Sequence, residues 1–369
     1  MKHQTPPALA HLGSALEALD ASHRLRRRVA PLDHGELSFS SNDYLGLASE
    51  PILTGASGAG ASRLVAGERT EHVTLEADLA GWSGTEGALL FASGYAANVG
   101  LLSALLGPED LVVSDALNHA SLIDGIRLAR AHPTVVPHLD LDAVERALRK
   151  RGPGERRAWV VTESYFSMDA DSPDLGALRA LCDRHGAGLL VDEAHALGVL
   201  GPEGRGVASA VGITPDAVVG TLGKAFGASG AFVVGCRTLI DWLWNRARSF
   251  VFSTGTSPAL AATGRARLAQ AQAEPWRRER AVALADRLRE GLRALGHTAP
   301  GYGPIVPWIL GSETRALSAA RALGEAGLHA VAIRPPTVPP GTSRIRFAMT
   351  ARHRDEDVDR VLSAARGVT

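Results

Sequence analysis

Two cysteines, Cys182 and Cys236, are all that the 369 residues contain. A disulfide framework is thereby excluded as the organising device, and a reducing compartment is the simpler setting. Charge of one sign is also lacking. Lys and Arg number 39 against 39 Asp and Glu, a formal net charge of zero. Bulk attraction to nucleic acid or to an anionic membrane is therefore not expected. The one tight basic cluster is Arg24-Leu25-Arg26-Arg27-Arg28. No uninterrupted apolar run approaches membrane-spanning length. The N-terminal stretch is broken by His11, Gly13, Ser14 and Glu17, unlike a secretion signal. A soluble, cytoplasmic protein is expected. Several motifs are missing as well. The glycine loop near residues 55–60 is not a P-loop, no GxGxxG follows a first strand, and no GxSxG elbow exists for a Ser-His-Asp hydrolase. The 13 histidines are scattered, and no second cluster completes Asp192-Glu193-x-His195, so no catalytic metal is expected.

What is present is an alternation. Apolar runs at 88–91, 111–113, 134–136, 158–161, 188–191, 217–219 and 231–234 are separated by helical stretches, notably 95–106, 119–131, 141–150 and 174–185. Short continuous apolar strands alternating with helices predict an α/β sheet covered on both faces. The stretch 220–230 has no room for a crossover helix, so the last two strands are expected to run antiparallel, making the sheet mixed but mostly parallel. Residues 8–30 read as helix, 37–47 as a short strand entering a turn, and 70–82 as helix. A helix-rich region at 259–295 precedes strands at 304–310, 329–333 and 344–349 and helices near 313–327 and 354–366, which read as a small C-terminal α+β unit. The expected division is an N-terminal helical segment at 1–36, a large domain at 37–260, and a linking helix with the small domain at 261–369.

Ligands in such sheets bind beyond the carboxyl ends of the strands, and three strand ends here carry polar groups. Lys224, after AVVGTLG, sits among Gly223, Ala225, Phe226 and Gly227. A buried amine has its protonated form disfavoured, which suits a Schiff base and a proton shuttle. A surface lysine on a glycine loop is the competing reading. Asp192 follows four apolar residues and needs a partner there. A protonated pyridine nitrogen is one such partner; capping the next turn is the other. His195 either touches a cofactor or satisfies its own loop. Glu163, Ser164 and Ser167 follow an earlier run. Ser93-Gly94 before a helix offers a phosphate cradle or an ordinary cap.

The motifs FSSNDYLGL (39–47), GASRLVAG (60–67), LLFASGYAANVG (89–100), NHASLIDG (118–125), VTESYFSMDAD (161–171), LLVDEAHALGVLGPEGRG (189–206), VVGTLGKAFGASG (218–230) and RPPTVPPGTSRIRF (334–347) together resemble the α-oxoamine synthase family, within the fold-type-I pyridoxal-phosphate transferases. The resemblance implies that pyridoxal 5'-phosphate occupies the large domain. Lys224 would bind it covalently, Asp192 would pair with its ring nitrogen, and His119 would stack on its ring. His195 and Ser167 would contact its phenolic oxygen, and Thr221, Ser93, Gly94 and Tyr95 its phosphate. Arg346 would hold the amino acid's carboxylate, with Arg344 as the neighbour most easily confused with it. Asn42 would border the substrate, and Arg26 would lie near the acyl chain. The family works as a homodimer with a shared active site, FSTGTSP (252–258) reaching the partner's phosphate. Its substrates are an amino acid and an acyl-CoA or acyl-carrier-protein thioester. The RPPTVP motif favours the biotin-pathway branch, which joins L-alanine to a pimeloyl thioester. Sister synthases using glycine or serine, and aminotransferases, share the same core residues. The chain departs from the family in short stretches at 47–58 and 28–39, in Ala196-Leu197, and in FSTGTSPA. Both short stretches touch the substrate side, so an altered acyl preference is expected.

Overall fold

Buried apolar runs build the centre of the molecule. The computed structural model describes residues 11–23, 25, 37–50, 56–152, 154 and 157–368. Its strands are β1 (Leu37–Ser38), β2 (Gly87–Phe91), β3 (Leu111–Asp115), β4 (Pro133–Val136), β5 (Ala158–Glu163), β6 (Ala187–Asp192), β7 (Ala217–Thr221), β8 (Ala231–Gly235), β9 (Ile305–Gly311), β10 (Leu328–His329), β11 (Ala332–Ile333) and β12 (Ser343–Ala348). A seven-stranded sheet has the order β2-β8-β7-β6-β5-β3-β4. β4, β3, β5, β6 and β7 pair in parallel, while β8 pairs antiparallel with both β7 and β2. β2, β3 and β8 are buried along their whole length. That is the pattern a sheet acquires when helices cover both faces.

The helices begin and end where short polar side chains and glycine dictate. Ser93, Asp140 and Asp174 cap the helices Gly94–Leu105, Leu141–Arg149 and Leu175–His185, each accepting a backbone N–H of the first turn. Gly186, in the left-handed region at φ 59°, ends the last of these and turns the chain straight into β6. One apolar cluster on one side of the sheet includes Leu89, Leu101, Leu122, Val161 and Phe250, and another includes Leu75, Leu79, Leu197, Phe226 and Phe232.

β9, β12 and β11 form a second, antiparallel sheet, closed by the helices Trp276–Ala294, Glu313–Glu325 and Asp355–Ala365 around Leu288, Trp308, Phe347 and Val358. This is the smaller C-terminal α+β region. Three local expectations change. The helix read over 8–30 is described only as His11–Ala21; His23 takes a left-handed φ of 54°, and residues 24 and 26–30 lie outside the described residues. The strand read over 329–333 is split. Leu328–His329 pairs parallel with β1, whereas Ala332–Ile333 pairs antiparallel with β12. The break lies at Ala330-Val331, where the Val331 N–H donates to Ser40 Oγ instead of a ladder partner (3.1 Å). The strand read in 37–47 shrinks to β1, which belongs with the C-terminal region. No helix of the described residues is long and apolar enough to cross a membrane.

Candidate active site

The carboxyl ends of β3, β5, β6 and β7 lie side by side and bring Asp115, Glu163, Asp192 and Thr221 to one edge of the sheet. Glu163 and Asp192 are in register on adjacent strands. A cleft of about 910 Å³ opens over this edge. Asn42, His119, Glu163, Ser167, His195, Lys224 and Arg346 line it.

Lys224 sits in the connection between β7 and β8, which is too short for a helix and closes on itself. Leu222 N–H donates to Gly230 O, Ala228 N–H to Leu222 O, and Gly227 N–H to Lys224 O, each at 2.9 Å. Gly227 has φ 56°, and a Cβ there would stand 2.5 Å from Ala48 N. The lysine loop therefore packs directly on the backbone after the Asn42 turn, which only glycine permits. Lys224 is half-buried, and burial pushes its ammonium down to about 8 despite the opposing pull of Asp192 and Glu163; Arg346 adds to the depression.

Asp192 is buried, and both its oxygens are engaged. Asn98 Nδ2 donates to Oδ2 (2.6 Å) and Ala194 N–H donates to Oδ1 (2.8 Å). Asn98 also donates to Ser121 Oγ (2.9 Å). His119 caps the helix Ala120–Leu128, with Nδ1 accepting from Ser121 N–H (3.2 Å). Its own amide donates to Glu163 Oε1 (2.8 Å). Burial lowers the His119 imidazole, and Lys224 adds to this while Asp192 opposes it. His195 is held well below the usual histidine range by burial and by the positive charges of Lys224, Arg346 and His119. Its Nδ1 lies 2.9 Å from the hydroxyl of Tyr44, a fully buried side chain.

Arg346 is buried on β12. Its Nη2 donates to Asn42 Oδ1 (2.9 Å) and its Nε to the Ser167 carbonyl (2.5 Å). Two residues back on the same strand face, Arg344 pairs with Asp169 Oδ1 (2.6 Å) and donates to the Met168 carbonyl (2.7 Å).

The residues expected at the phosphate are less uniformly placed. Phe91 and Thr221 both pair with Ala231, so the ends of β2 and β7 share one edge. This brings Ser93-Gly94, at a helix N-terminus, to the same side of the sheet as Thr221. Thr221 Oγ1 accepts from Gly223 N–H and donates to Gly230 O, both at 3.1 Å. Tyr95 is exposed, its hydroxyl donates to Asp124 Oδ2 (2.8 Å), and it is not among the residues that line the cleft. Arg26 lies outside the described residues, as do 51–55. In the rest of the short stretch 47–58 no helix is present among the described residues.

A family model, aminotransferase class I and II, matches residues 35–364. The 8-amino-7-oxononanoate synthase of Anaeromyxobacter sp. (strain K) is 48% identical over 384 residues, covering 98% of this chain and 96% of that protein. The chain belongs to the α-oxoamine synthase family. Solved structures agree on the fold. A serine palmitoyltransferase from Sphingomonas wittichii superposes with TM-score 0.89 at 28% identity, covering 99% of this chain and 98% of that one. A high-resolution structure of SPT with PLP internal aldimine gives TM-score 0.90 at 28% identity, with the same coverage.

Three groups at this α-oxoamine synthase cleft escaped assignment from sequence. Tyr44 and Asn98 stand inside recognisable motifs, but their partners His195 and Asp192 are 151 and 94 residues away, a pairing that no local pattern carries. Thr337, in the RPPTVP motif, lines the cleft beside the Pro335–Pro336 pair; a hydroxyl inside a proline-rich run was the available signal.

Proposed function

We propose that this chain is a pyridoxal-phosphate enzyme that condenses L-alanine with a pimeloyl thioester, releasing carbon dioxide and the free thiol and giving 8-amino-7-oxononanoate. One observation carries this reading. A lysine of depressed proton affinity, within reach of the Asp192 charge, opens into the same cleft as His119 and His195, in a chain 48% identical to an 8-amino-7-oxononanoate synthase.

The donor set fits the cofactor. Lys224 offers an amine, Asp192 a buried carboxylate for the ring nitrogen, and His119 an imidazole for the ring face. The helix N-terminus at Ser93-Gly94, with Thr221, offers phosphate contacts. Bound pyridoxal phosphate supplies an electron sink conjugated to the amino acid's Cα.

The protein's own groups do the rest. Lys224 Nζ, partly unprotonated at neutral pH, binds the cofactor, takes the Cα proton and later returns one. Asn98 and the Ala194 amide fix the Asp192 carboxylate so that it meets the ring nitrogen without rearranging. His195 stays neutral, oriented by Tyr44, and places a hydrogen-bonding edge where the thioester oxygen gains charge. Arg346 uses Nε and Nη2 on protein oxygens. Its Nη1 has no hydrogen-bond partner among the described residues, and the guanidinium binds the alanine carboxylate.

The reading includes a cytoplasmic homodimer with a shared active site. Val65 and Phe252 are 81% and 73% exposed, and large apolar side chains in that state favour a partner surface. Phe252 leads the FSTGTSP loop, which the fold holds firmly. Ser62 Oγ donates to Val251 O and Gly255 N–H to Ala61 O, both at 2.9 Å. Sedimentation should find a dimer.

A free-thiol release assay tests the reaction. L-Alanine, glycine and L-serine are crossed with pimeloyl, acetyl, succinyl and palmitoyl thioesters, and the amino ketone is weighed by mass spectrometry. Release only with alanine and pimeloyl is expected. Release with another pair would move the chain to a sister activity.

A further inference from the structure

One buried carboxyl in the cleft has no part in this chemistry. Glu163 is 5% exposed and stands in register beside Asp192 at the end of the neighbouring strand. A second carboxylate that close to a site meant to hold one is costly unless it has a task. Its Oε1 accepts the backbone N–H of His119 at 2.8 Å. His119 is the N-cap of the helix Ala120–Leu128, and its ring is fixed through Nδ1 to the Ser121 N–H and hydroxyl. The Glu163 acceptor therefore sets where the His119 backbone lies, and Ser121 sets how the ring turns from it.

We propose that Glu163 is a positioning residue that holds the His119 ring in its stacking pose through the His119 amide, without acting on the cofactor itself. The inference rests on the reading that pyridoxal phosphate binds here with His119 on its ring. Burial, then the charge of Asp192, pushes Glu163 up to about 8, with Lys224 and the His119 amide opposing and Asp115 assisting. The carboxyl can therefore be neutral at physiological pH and still present a carbonyl oxygen to the amide. Its acceptor oxygen, not its charge, is what the site needs.

The test is a double-mutant cycle on the full chain. It is read by the dissociation constant for pyridoxal phosphate and by the visible circular dichroism of the bound chromophore, which reports ring pose. His119→Ala and Glu163→Ala should each weaken binding about tenfold, the effect of losing one well-placed contact, and should change the dichroism alike. Glu163→Ala added to His119→Ala should cost nothing further. Glu163→Gln, which keeps an acceptor oxygen, should stay close to the wild type in both readouts. If Glu163→Ala does not fold, Glu163→Met takes its place in the cycle. Additive losses, an unaltered Glu163→Ala, or a Glu163→Gln as weak as Glu163→Ala would each overturn this inference alone. A wild type that takes up no pyridoxal phosphate would overturn the functional reading with it.

Discussion

The low proton affinity of Lys224 has a direct kinetic consequence. Cofactor capture needs the free amine, so its rate follows the unprotonated fraction of Nζ. An ordinary lysine at 10.5 has about three molecules in ten thousand unprotonated at pH 7, whereas one at about 8 has about a tenth, roughly a 300-fold gain. The perturbation is pH, applied to the apo-protein, and the assay is stopped-flow absorbance as pyridoxal phosphate is added. The capture rate should rise tenfold per pH unit below about 7, bend near 8 and be flat by about 9. The neighbours set the direction of second-site effects. Asp192→Asn removes the strongest attraction to the ammonium and should move the midpoint down, because it favours the free amine. Arg346→Met removes a repulsion and should move it up. A midpoint near 10 in the wild type would refute the claim that burial dominates at this lysine. A midpoint near 8 that neither substitution moved would refute the account of its neighbours.

Other outcomes follow from single contacts. Tyr44→Phe leaves the buried His195 Nδ1 without its 2.9 Å partner, and should cost about 1–3 kcal/mol of unfolding free energy by denaturant titration and lower kcat. Gly227→Ala forces a side chain into φ 56° and against Ala48 N; it should destabilise by about 1–2 kcal/mol or more and slow cofactor capture, since Lys224 rides the same turn. His138 is flanked by Asp115 (2.9 Å) and Asp171 (3.2 Å) and raised to about 10. A raised folded-state value adds stability that is complete below the ordinary 6.5 and lost as pH climbs through about 10, so the Tm should fall over that window, and more steeply than in His138→Gln. Relative rates across dicarboxylic acyl lengths next to pimeloyl should show a broadened preference, because the stretch 47–58 is short; adipoyl and suberoyl thioesters turned over far more slowly than pimeloyl would overturn that expectation.

Much of the large domain was readable because its strands are continuous apolar runs. A run buried on both faces needs no partner to be recognised, and each one ends where polarity returns. The same feature exposed Lys224 and Asp192, since a charged residue just after such a run stands at the carboxyl edge of the sheet. The antiparallel β7–β8 pair was readable from connection length alone. The C-terminal region was less so. Leu328–His329 and Ala332–Ile333 read as one strand because the apolar run continues unbroken through Ala330-Val331. Only the partners, β1 on one side and β12 on the other, separate them. Tyr44, Asn98 and the amide link from His119 to Glu163 were hidden for a similar reason. Their meaning lies in a contact between distant segments, and local sequence carries no trace of which acceptor a donor finds.

Arg344 and Arg346 show how such contacts divide labour between residues of the same type. They sit two apart on β12, so their side chains leave the same face of the strand, and both are buried. Nothing in RIRF says which one waits for a ligand. Their surroundings differ in charge. Arg344 faces Asp169 at 2.6 Å, so its guanidinium is already neutralised. Arg346 faces amide, carbonyl and hydroxyl oxygens, and no carboxylate lies within ion-pair distance of it among the described residues. A buried guanidinium without a counter-ion is costly, and the cost is offset when a carboxylate arrives. We propose on that ground that Arg346 receives the amino acid, while Arg344 fixes the 167–169 turn whose Ser167 carbonyl orients its neighbour. Arg346→Lys keeps the charge but loses the fork, and should raise KM for alanine by about tenfold or more. Arg344→Lys should instead lower stability and leave that KM much less altered. The reverse pattern would exchange the two roles.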